Sequence, residues 1–278
     1  MSDHDPNVAF IGAGNMASSI IGGLVANKHP ASTITASDPN PDTLARLADN
    51  SGVNTTTDNA EAVKNAEVIV LAVKPQVMQV VCESLVDYVP TNALVVSIAA
   101  GITAKSLSQW LGASGNRKLA VVRCMPNTPS LVQAGASALF ANRWVSDTQK
   151  EQAEKLMRAV GSVNWVENEG DIDAVTAVSG SGPAYFFLLI EAMTDAGEKQ
   201  GLPRDIAARL AVQTALGAAK LAAASDVDAA ELRRRVTSPN GTTAEAIAAF
   251  EQGGFRTLVE DAMQACADRS RALAKELA

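Results

Sequence analysis

The chain has 278 residues, which is long enough for one large or two moderate domains with ample core. A hydrophobic fraction of 47% and a charged fraction of 19% are typical of a globular protein and argue against disorder. The net charge of -7 argues against a nucleic-acid or anionic-membrane surface, because phosphate binding needs clustered Lys and Arg. The one basic run, Arg233–Arg235, is interpreted as a solvated helix face in preference to a phosphate patch.

Cysteines and histidines are few and scattered. Cys82, Cys124 and Cys266 form no CxxC pair, so neither a disulfide framework nor a zinc site is expected. His4 and His29 stand alone, and we expect no metal centre. The N-terminus lacks the basic and apolar regions of a secretory signal, and no apolar run reaches the ~18 residues that span a bilayer. These features predict a cytoplasmic protein with no membrane or nucleic-acid partner.

Apolar runs alternate with helical patterns over the first 165 residues or so. Continuous apolar runs are typical of strands that are buried on both faces of a parallel sheet. Helices are expected over 15–27, 75–87, 103–111 and 146–160. The predicted strands are Val8–Ile11, Thr33–Ser37, Val68–Val73, Leu94–Ile98, Leu119–Arg123, Ala136–Phe140 and Val163–Val166. The alternation predicts an α/β fold with a doubly wound sheet.

The pattern changes after Gly170, where only helices are expected, over 171–200, 204–224, 226–236 and 243–276. We place the domain boundary so that residues 1–166 form the sheet domain and 167–278 an all-α C-terminal domain. The segment Ala184–Ile190 is apolar almost all round, which indicates burial on every side. In so small a helical domain, a subunit interface is the favoured explanation.

A glycine-rich turn joins the first strand to the first helix, in the context that makes it a dinucleotide-binding motif of a Rossmann-type domain. Gly12 permits a tight turn, Gly14 lets the backbone approach a pyrophosphate, and Ala17 allows close helix packing. The helix N-terminus then offers N–H groups to phosphates. Glycines that merely turn the chain are the less favoured alternative. The predicted cofactor contacts here are Gly12, Ala13, Gly14, Asn15 and Met16.

The end of the second strand bears on the choice between NAD and NADP. Ser37 and Asp38 end this strand, and Asp38 stands where an acidic residue bonds the adenosine ribose hydroxyls. A carboxylate there would repel a 2′-phosphate, so the local chemistry favours NAD. Alternatively, Asp38 caps the helix that follows.

Three further loops follow predicted strands, at the sheet edge where open α/β folds bind ligands. Each loop could also be a plain turn, and Lys74 could face phosphate, ribose or solvent. The candidate cofactor residues in them are Ala72, Val73, Lys74, Pro75, Ala99, Ala100, Gly101 and Asn127.

Together these motifs resemble the pyrroline-5-carboxylate reductase family over essentially the whole chain. The matching segments are Phe10–Met16, Ala72–Pro75, Arg123–Pro129, Asp173–Tyr185 and Gly253–Arg256. The resemblance implies a Rossmann domain followed by a helical dimerisation domain, in a homodimer or a higher assembly of dimers. It also implies reduction of a cyclic imine carboxylate to L-proline, the last step of proline biosynthesis, with NADPH or NADH.

Residue roles carry over by position. Asn59 matches a family residue near the adenosine ribose, and Ser238 and Thr243 match residues that hold the substrate carboxylate and face its ring nitrogen. Asn240 replaces a glycine that the family usually has. Asn tolerates a positive φ better than other non-glycine residues, so we expect the loop to keep its shape.

An imine reduction asks little of acid–base side chains, which fits a chain with so few histidines and favours catalysis by positioning. We expect the helix that starts near Thr242 to present N–H groups to the carboxylate, while the Thr243 hydroxyl serves the imine nitrogen. Alternatively, Thr242 and Glu245 form a capping box, which leaves Thr243 without a role. The predicted catalytic residues are Thr243 and Ser238, and the predicted substrate-binding residues are Ser181, Gly182, Gly241 and Thr242.

The segment before the apolar helix has two interpretations. Gly182 is a possible helix cap with Pro183 at the first helical position, and the Ser179–Pro183 glycines could approach either substrate or a facing subunit.

Two rival functions also remain open. A β-hydroxyacid dehydrogenase or related imine reductase would need a lysine acid, for which Lys199 and Lys220 are the candidates. A non-catalytic dinucleotide sensor would bind cofactor without turnover.

Overall fold

The computed structural model describes residues 5–113 and 118–277, so His4 lies outside the described residues. The chain divides into two compact units. The first contains the residues up to Gly180 together with those from Cys266 onward, and the second is Ser181–Ala265.

An eight-stranded sheet organises the first unit, with strand order β3-β2-β1-β4-β5-β6-β7-β8. Neighbouring strands are parallel except β6 and β7, which pair antiparallel. The strands are β1 Val8–Ile11, β2 Ile34–Ser37, β3 Asn54–Thr56, β4 Val68–Leu71, β5 Leu94–Ser97, β6 Ala120–Met125, β7 Gly135–Ala141 and β8 Gly161–Trp165. The predicted doubly wound Rossmann-type sheet is therefore confirmed.

Helices of the first unit pack on the two faces of this sheet. The helices before the last strand are α1 Asn15–Ala26, α2 Pro41–Ser51, α3 Asn59–Val63, α4 Pro75–Ser84, α5 Ala104–Trp110 and α6 Asp147–Arg158. Successive residues of β4 enter different cores: Val68 and Val70 join one cluster, Ile69 and Leu71 the other. A strand in this position is apolar without interruption because both of its faces are buried.

Seven helical segments complete the described part of the chain. They are α7 Asp171–Val175, a π-helical turn at Thr176–Gly180, α8 Gly182–Lys199, α9 Arg204–Ala224, α10 Ala229–Arg235, α11 Thr242–Gln252 and α12 Phe255–Glu276. The predicted all-α C-terminal region is confirmed.

Two of the predicted long helices are interrupted, and two short elements were missed. The helix expected over 171–200 breaks at the π-helical turn, and the one over 243–276 breaks at Gly253 and Gly254, where Gly254 has a φ of +75°. Strand β3 was not predicted because its residues are polar and largely exposed at the sheet edge. Helix α3 was missed because it has only five residues.

The compact units divide the chain later than the predicted boundary at residue 167. Helix α7 and the π-helical turn stay with the sheet, since Asn127 of the β6 loop donates to the Ser179 carbonyl. The end of α12 also returns to the first unit, where the Ser270 hydroxyl donates to Asp173 at 2.6 Å.

Helix α8 carries its apolar side chains on the surface of the single chain. Phe186, Phe187 and Leu188 are between 64% and 66% exposed. By length and composition the stretch Asp171–Lys199 could cross a membrane, with a mean hydropathy of 1.2. The core helix of a soluble protein passes the same test, so the observation is weak evidence by itself.

Candidate functional site

The glycine turn lies between β1 and α1, where the order of the parallel strands reverses and open α/β sheets bind their ligands. Gly12 has a φ of +99°, and a Cβ at this position would stand 2.9 Å from the carbonyl of Ala72. Only glycine fits, because both the backbone conformation and the close approach exclude a side chain. The Gly12 N–H donates to the Ser37 carbonyl at 2.7 Å, which ties the turn to β2.

The start of α1 is open to a ligand. Gly14 is the N-cap residue, and no side chain caps the helix start with a hydrogen bond. The first turn of α1 contains no acidic residue. A Cβ on Gly14 would meet nothing within 4 Å, so space lies directly above the backbone. N–H groups at a helix N-terminus with open space before them suit the pyrophosphate of a dinucleotide.

Asp38 connects the glycine turn to the loop after β2. Its Oδ2 accepts from the Ala13 N–H at 3.0 Å and its Oδ1 from the Asn40 N–H at 2.9 Å. Each carboxylate oxygen can accept a second hydrogen bond, so a ribose hydroxyl can still be received. The alternative of Asp38 as a helix cap is wrong, since Asn40 is the N-cap of α2 and accepts from the Asp42 and Thr43 N–H groups.

Asn59 is held beside this loop by a buried serine. The Ser37 hydroxyl donates to Asn59 Oδ1 at 2.5 Å, and Asn59 is the first residue of α3.

Sequence reasoning missed a cation on the neighbouring helix. The Arg46 guanidinium folds back to the first turn of α2, where it donates to the Asp42 carbonyl and the Thr43 hydroxyl. The spacing of four residues between Asp42 and Arg46 on an amphipathic stretch is the signal that could have revealed this contact.

The loops after β4 and β5 lie at the same carboxyl edge of the sheet. Lys74 is the exposed N-cap of α4 and Pro75 its first residue. Gly101 has a φ of +74° and is buried against Leu273 and Leu277 near the end of α12. The structure therefore gathers the predicted cofactor residues of the first unit along one edge. Their direct contacts with a cofactor stay predictions.

Asn127, after β6, is buried and uses both ends of its side-chain amide. Its Nδ2 donates to the Ser179 carbonyl at 3.0 Å, and its Oδ1 accepts from the Ala136 N–H at 2.8 Å. The cofactor contact predicted for this residue stays a prediction.

A partly buried ion pair that the sequence did not reveal braces the loop after β5. Arg123 on β6 lies 3.0 Å from Glu169, and the same carboxylate oxygen accepts from the Ala104 N–H at 2.6 Å. Ala104 begins α5, just after the Ala99–Gly101 loop. The pair thus links β6, the start of α5 and the entrance to α7.

The predicted substrate residues belong to the second unit. Asn240 has a φ of +58°, which confirms that it takes the left-handed conformation expected of it. Gly241 is the N-cap of α11 and makes no side-chain cap bond, so the predicted capping box of Thr242 and Glu245 is wrong. Thr242 is instead the first helical residue. Ser238, Thr242 and Thr243 are exposed.

The start of α8 also differs by one residue from the prediction. Ser181 is the N-cap residue and Gly182 the first residue of the helix, so Pro183 occupies the second position. Proline fits there as well, because the first N–H groups of a helix have no partner within it.

The described residues near the sheet edge offer little acid–base chemistry. Burial raises the pKa of the Cys124 thiol to about 12, so this thiol is protonated and is a poor nucleophile at neutral pH. His29 follows α1, at the sheet edge opposite the glycine turn, and bonds to the Thr33 hydroxyl. Within residues 5–113 and 118–277, no three His, Cys, Asp or Glu side chains are grouped to hold a metal ion.

The fold and the glycine turn define a class, the dinucleotide-dependent oxidoreductases with a Rossmann-type domain. Residues 169–273 match the family described as pyrroline-5-carboxylate reductase dimerisation. Residues 7–101 match the family described as NADP oxidoreductase coenzyme F420-dependent. The chain belongs to the pyrroline-5-carboxylate reductase family.

Individual relatives support this membership over the full length. A pyrroline-5-carboxylate reductase of Pseudomonas aeruginosa is 57% identical over 272 residues, covering 98% of both chains. The structure of such a reductase from Coxiella burnetii is 44% identical with a TM-score of 0.92, covering 98% of this chain and 99% of that one. The Plasmodium falciparum pyrroline carboxylate reductase, solved with NADP bound, is 30% identical with a TM-score of 0.83, covering 97% and 98%.

Proposed function

We propose that this chain reduces 1-pyrroline-5-carboxylate to L-proline with NADPH or NADH. The observation that carries the proposal is the 57% identity, over nearly the whole of both chains, to a pyrroline-5-carboxylate reductase. In the reaction a hydride adds to the carbon of the C=N bond and a proton to the ring nitrogen. The reduced nicotinamide supplies the hydride when it is bound.

The first unit provides the cofactor half of the site. Phosphates bind at the uncapped start of α1, which presents its N–H groups and positive dipole end. Asn59, held by Ser37, and Asp38, held by the Ala13 N–H, hold the adenosine ribose. In the proposal this half positions the nicotinamide.

The second unit provides the substrate half. The start of α11 resembles the start of α1, since a glycine takes the N-cap position and no side chain fills it. A substrate carboxylate can therefore bind to the first N–H groups of α11, with help from the Ser238 hydroxyl. Gly241 and Thr242 lie at this start, and Ser181 and Gly182, at the start of α8, are the other substrate contacts of the proposal. The Thr243 hydroxyl is the group that hydrogen-bonds to the ring nitrogen and orients its proton.

The Thr243→Val variant tests this last role, because it removes the hydroxyl and keeps the shape of the side chain. We expect kcat/KM for pyrroline-5-carboxylate to fall about 100-fold, the low end of general-acid effects. Thr148 is a matched control, since it is also an exposed threonine at the second residue of a helix. A Thr243→Val enzyme whose kcat/KM stays within about twofold of the wild type would remove Thr243 from the mechanism.

Asp38 shapes the choice between the two cofactors. Its carboxylate disfavours a 2′-phosphate by like-charge repulsion, while the Arg46 guanidinium, which folds back to the first turn of α2, is the cation on the helix that follows. The Asp38→Asn variant removes the charge and keeps an acceptor for the Ala13 N–H. We expect the ratio of kcat/KM for NADPH to that for NADH to rise about fivefold, roughly 1 kcal/mol. An unchanged ratio would assign Asp38 to the loop alone.

The oligomer is a homodimer, or an assembly of such dimers, formed through the second unit. Support comes from the dimerisation family match and from the exposed aromatic and leucine side chains of α8. Isolated monomers rarely expose so large a contiguous apolar surface. We place the enzyme in the cytoplasm, where Cys82, Cys124 and Cys266, which form no disulfide, remain reduced.

A further inference from the structure

The π-helical turn at Thr176–Gly180 leaves one backbone carbonyl without its normal helical partner. In an α-helix the carbonyl of Ser179 would accept from the N–H four residues later. That residue is Pro183, which has no N–H. The next donor, the Ala184 N–H, bonds instead to the Ser181 carbonyl at 3.0 Å.

The missing donor is supplied by a side chain from the loop after β6. Asn127 Nδ2 donates to the Ser179 carbonyl at 3.0 Å, from a position only 8% exposed. Its Oδ1 accepts from the Ala136 N–H at 2.8 Å, so the amide is fixed at both ends and cannot rotate freely. Ser179 is half-buried, so its carbonyl is only partly accessible to water and the Asn127 amide replaces the donor that the proline lacks.

A second contact holds the same turn. A Cβ on Gly180 would collide with the Met125 side chain, so Met125, at the end of β6, lies directly against the backbone of the turn. Isolated π-helical turns within helices frequently occur at functional sites. Here the turn is fixed from β6 by one hydrogen bond and one packing contact, and Ser181 and Gly182 follow it directly in the chain.

We propose that Asn127 is a positioning residue for substrate binding, which acts by replacing the N–H that Pro183 lacks and so fixes the Ser179–Gly180 backbone. The inference rests on the proposed function, because the substrate role of Ser181 and Gly182 belongs to it. Ser181 and Gly182 follow this fixed backbone directly in the chain. The glycine turn is held separately, by the hydrogen bond that the Gly12 N–H donates to the Ser37 carbonyl.

The Asn127→Asp variant tests the proposal. A carboxylate keeps an acceptor for the Ala136 N–H but cannot donate to the Ser179 carbonyl. We expect KM for pyrroline-5-carboxylate to rise about tenfold with kcat within about twofold, whereas a rise in the KM for the nicotinamide cofactor alone would assign Asn127 to the predicted cofactor contact and overturn the proposal. A rise confined to substrate KM separates positioning from a general loss of structure.

Asn142 provides the matched control on the same pair of strands. Its Nδ2 donates to the Leu119 carbonyl at 2.9 Å and its Oδ1 accepts from the Val121 N–H at 3.3 Å, at the other end of β6. Asn142→Asp therefore loses a similar bond, and we expect its kinetic constants to match the wild type. Equal rises in substrate KM in both variants would overturn the proposal.

Restoring the missing donor gives a second, sharper test. In the double variant that combines Asn127→Asp with Pro183→Ala, the backbone regains an N–H for the Ser179 carbonyl, so the substrate KM should recover in part. A substrate KM as high as in the single variant would overturn the proposal. If Asn127→Asp does not fold, Asn127→Ser takes its place under the same criteria. An inactive wild-type enzyme would refute the proposed function itself. An active wild-type enzyme whose Asn127→Asp variant keeps the wild-type KM for pyrroline-5-carboxylate would refute only this inference.

Discussion

The two units differ in where their apolar side chains lie. In the first unit the strand residues of β4 are at most 1% exposed, because helices cover both faces of the sheet. Within residues 181–265, all of which the structure describes, only Gly182, Thr194, Ala207 and Ala211 are buried, while aromatic and leucine side chains of α8 are exposed. The first unit has a complete core within one chain, and the second requires a further surface to cover its helices.

The two units therefore differ in whether a single chain is enough to bury their apolar side chains. The proposed cofactor residues are built on a sheet whose burial does not depend on another chain. The proposed substrate residues are on helices whose apolar faces are exposed in one chain, so we expect substrate binding to depend on assembly. Changes on the exposed apolar face of α8 should therefore affect oligomeric state and activity together, whereas changes in the core of the first unit should affect folding.

The largest effect is expected from a charge on the exposed face of α8. In Leu188→Arg, each of two symmetry-related copies would bury an unpaired cation, which costs several kcal/mol at each site. We expect monomers in analytical ultracentrifugation and a loss of reductase activity of about 100-fold or more. Val80→Arg is the matched control, since Val80 is 70% exposed on α4 of the first unit. A fully active Leu188→Arg dimer would contradict the inference that the second unit needs a further surface to cover α8.

A smaller effect is expected from the partly buried ion pair of the first unit. Arg123→Met leaves Glu169 without its cation, and we expect the free energy of unfolding to fall by about 2 kcal/mol. The loss stays below that of a fully buried pair because the Glu169 side chain is 30% exposed and water can solvate it. Denaturant unfolding measures the change. Arg158→Met, which breaks the exposed pair with Glu154, should leave stability nearly unchanged, and equal losses in both variants would contradict the account.

The smallest effect concerns the pH dependence of the first unit. Burial lowers the pKa of His29 below its ordinary value of 6.5, against an opposing attraction from Asp5. The unfolded chain therefore binds a proton at higher pH than the folded one, and stability falls as the pH drops below about 6.5. In His29→Gln, we expect this decline to shrink by less than ~1 kcal/mol between about pH 7 and pH 5. If the free energy of unfolding falls more steeply with decreasing pH in the variant than in the wild type, the lowered pKa assigned to His29 is wrong.

The features that the sequence predicted are those that depend on neighbouring residues. The turn around Gly12 and Gly14 is local, since conformation and helix start are set within a few positions. Apolar strands such as β4 are recognisable because burial on both faces excludes polar residues. Asn240 likewise revealed its left-handed conformation through its own chemistry.

The features that the sequence did not predict join distant segments or depend on weak local signals. Asn127 and Ser179 are 52 positions apart, and Arg123 and Glu169 are 46 apart. No periodicity connects such pairs, so only the folded chain identifies the partners. The prediction of the α11 cap was wrong for a different reason. The Thr-x-x-Glu pattern predicts a capping box, but Gly241 takes the N-cap position and leaves the helix start open.

The most direct measurement of the central claim is the oxidation of NADPH and NADH by the purified wild-type chain, with and without pyrroline-5-carboxylate. The account predicts that cofactor absorbance falls only when the imine is present and that one L-proline forms for each cofactor oxidised. Tight cofactor binding without imine-dependent oxidation would instead identify a dinucleotide sensor and contradict the account.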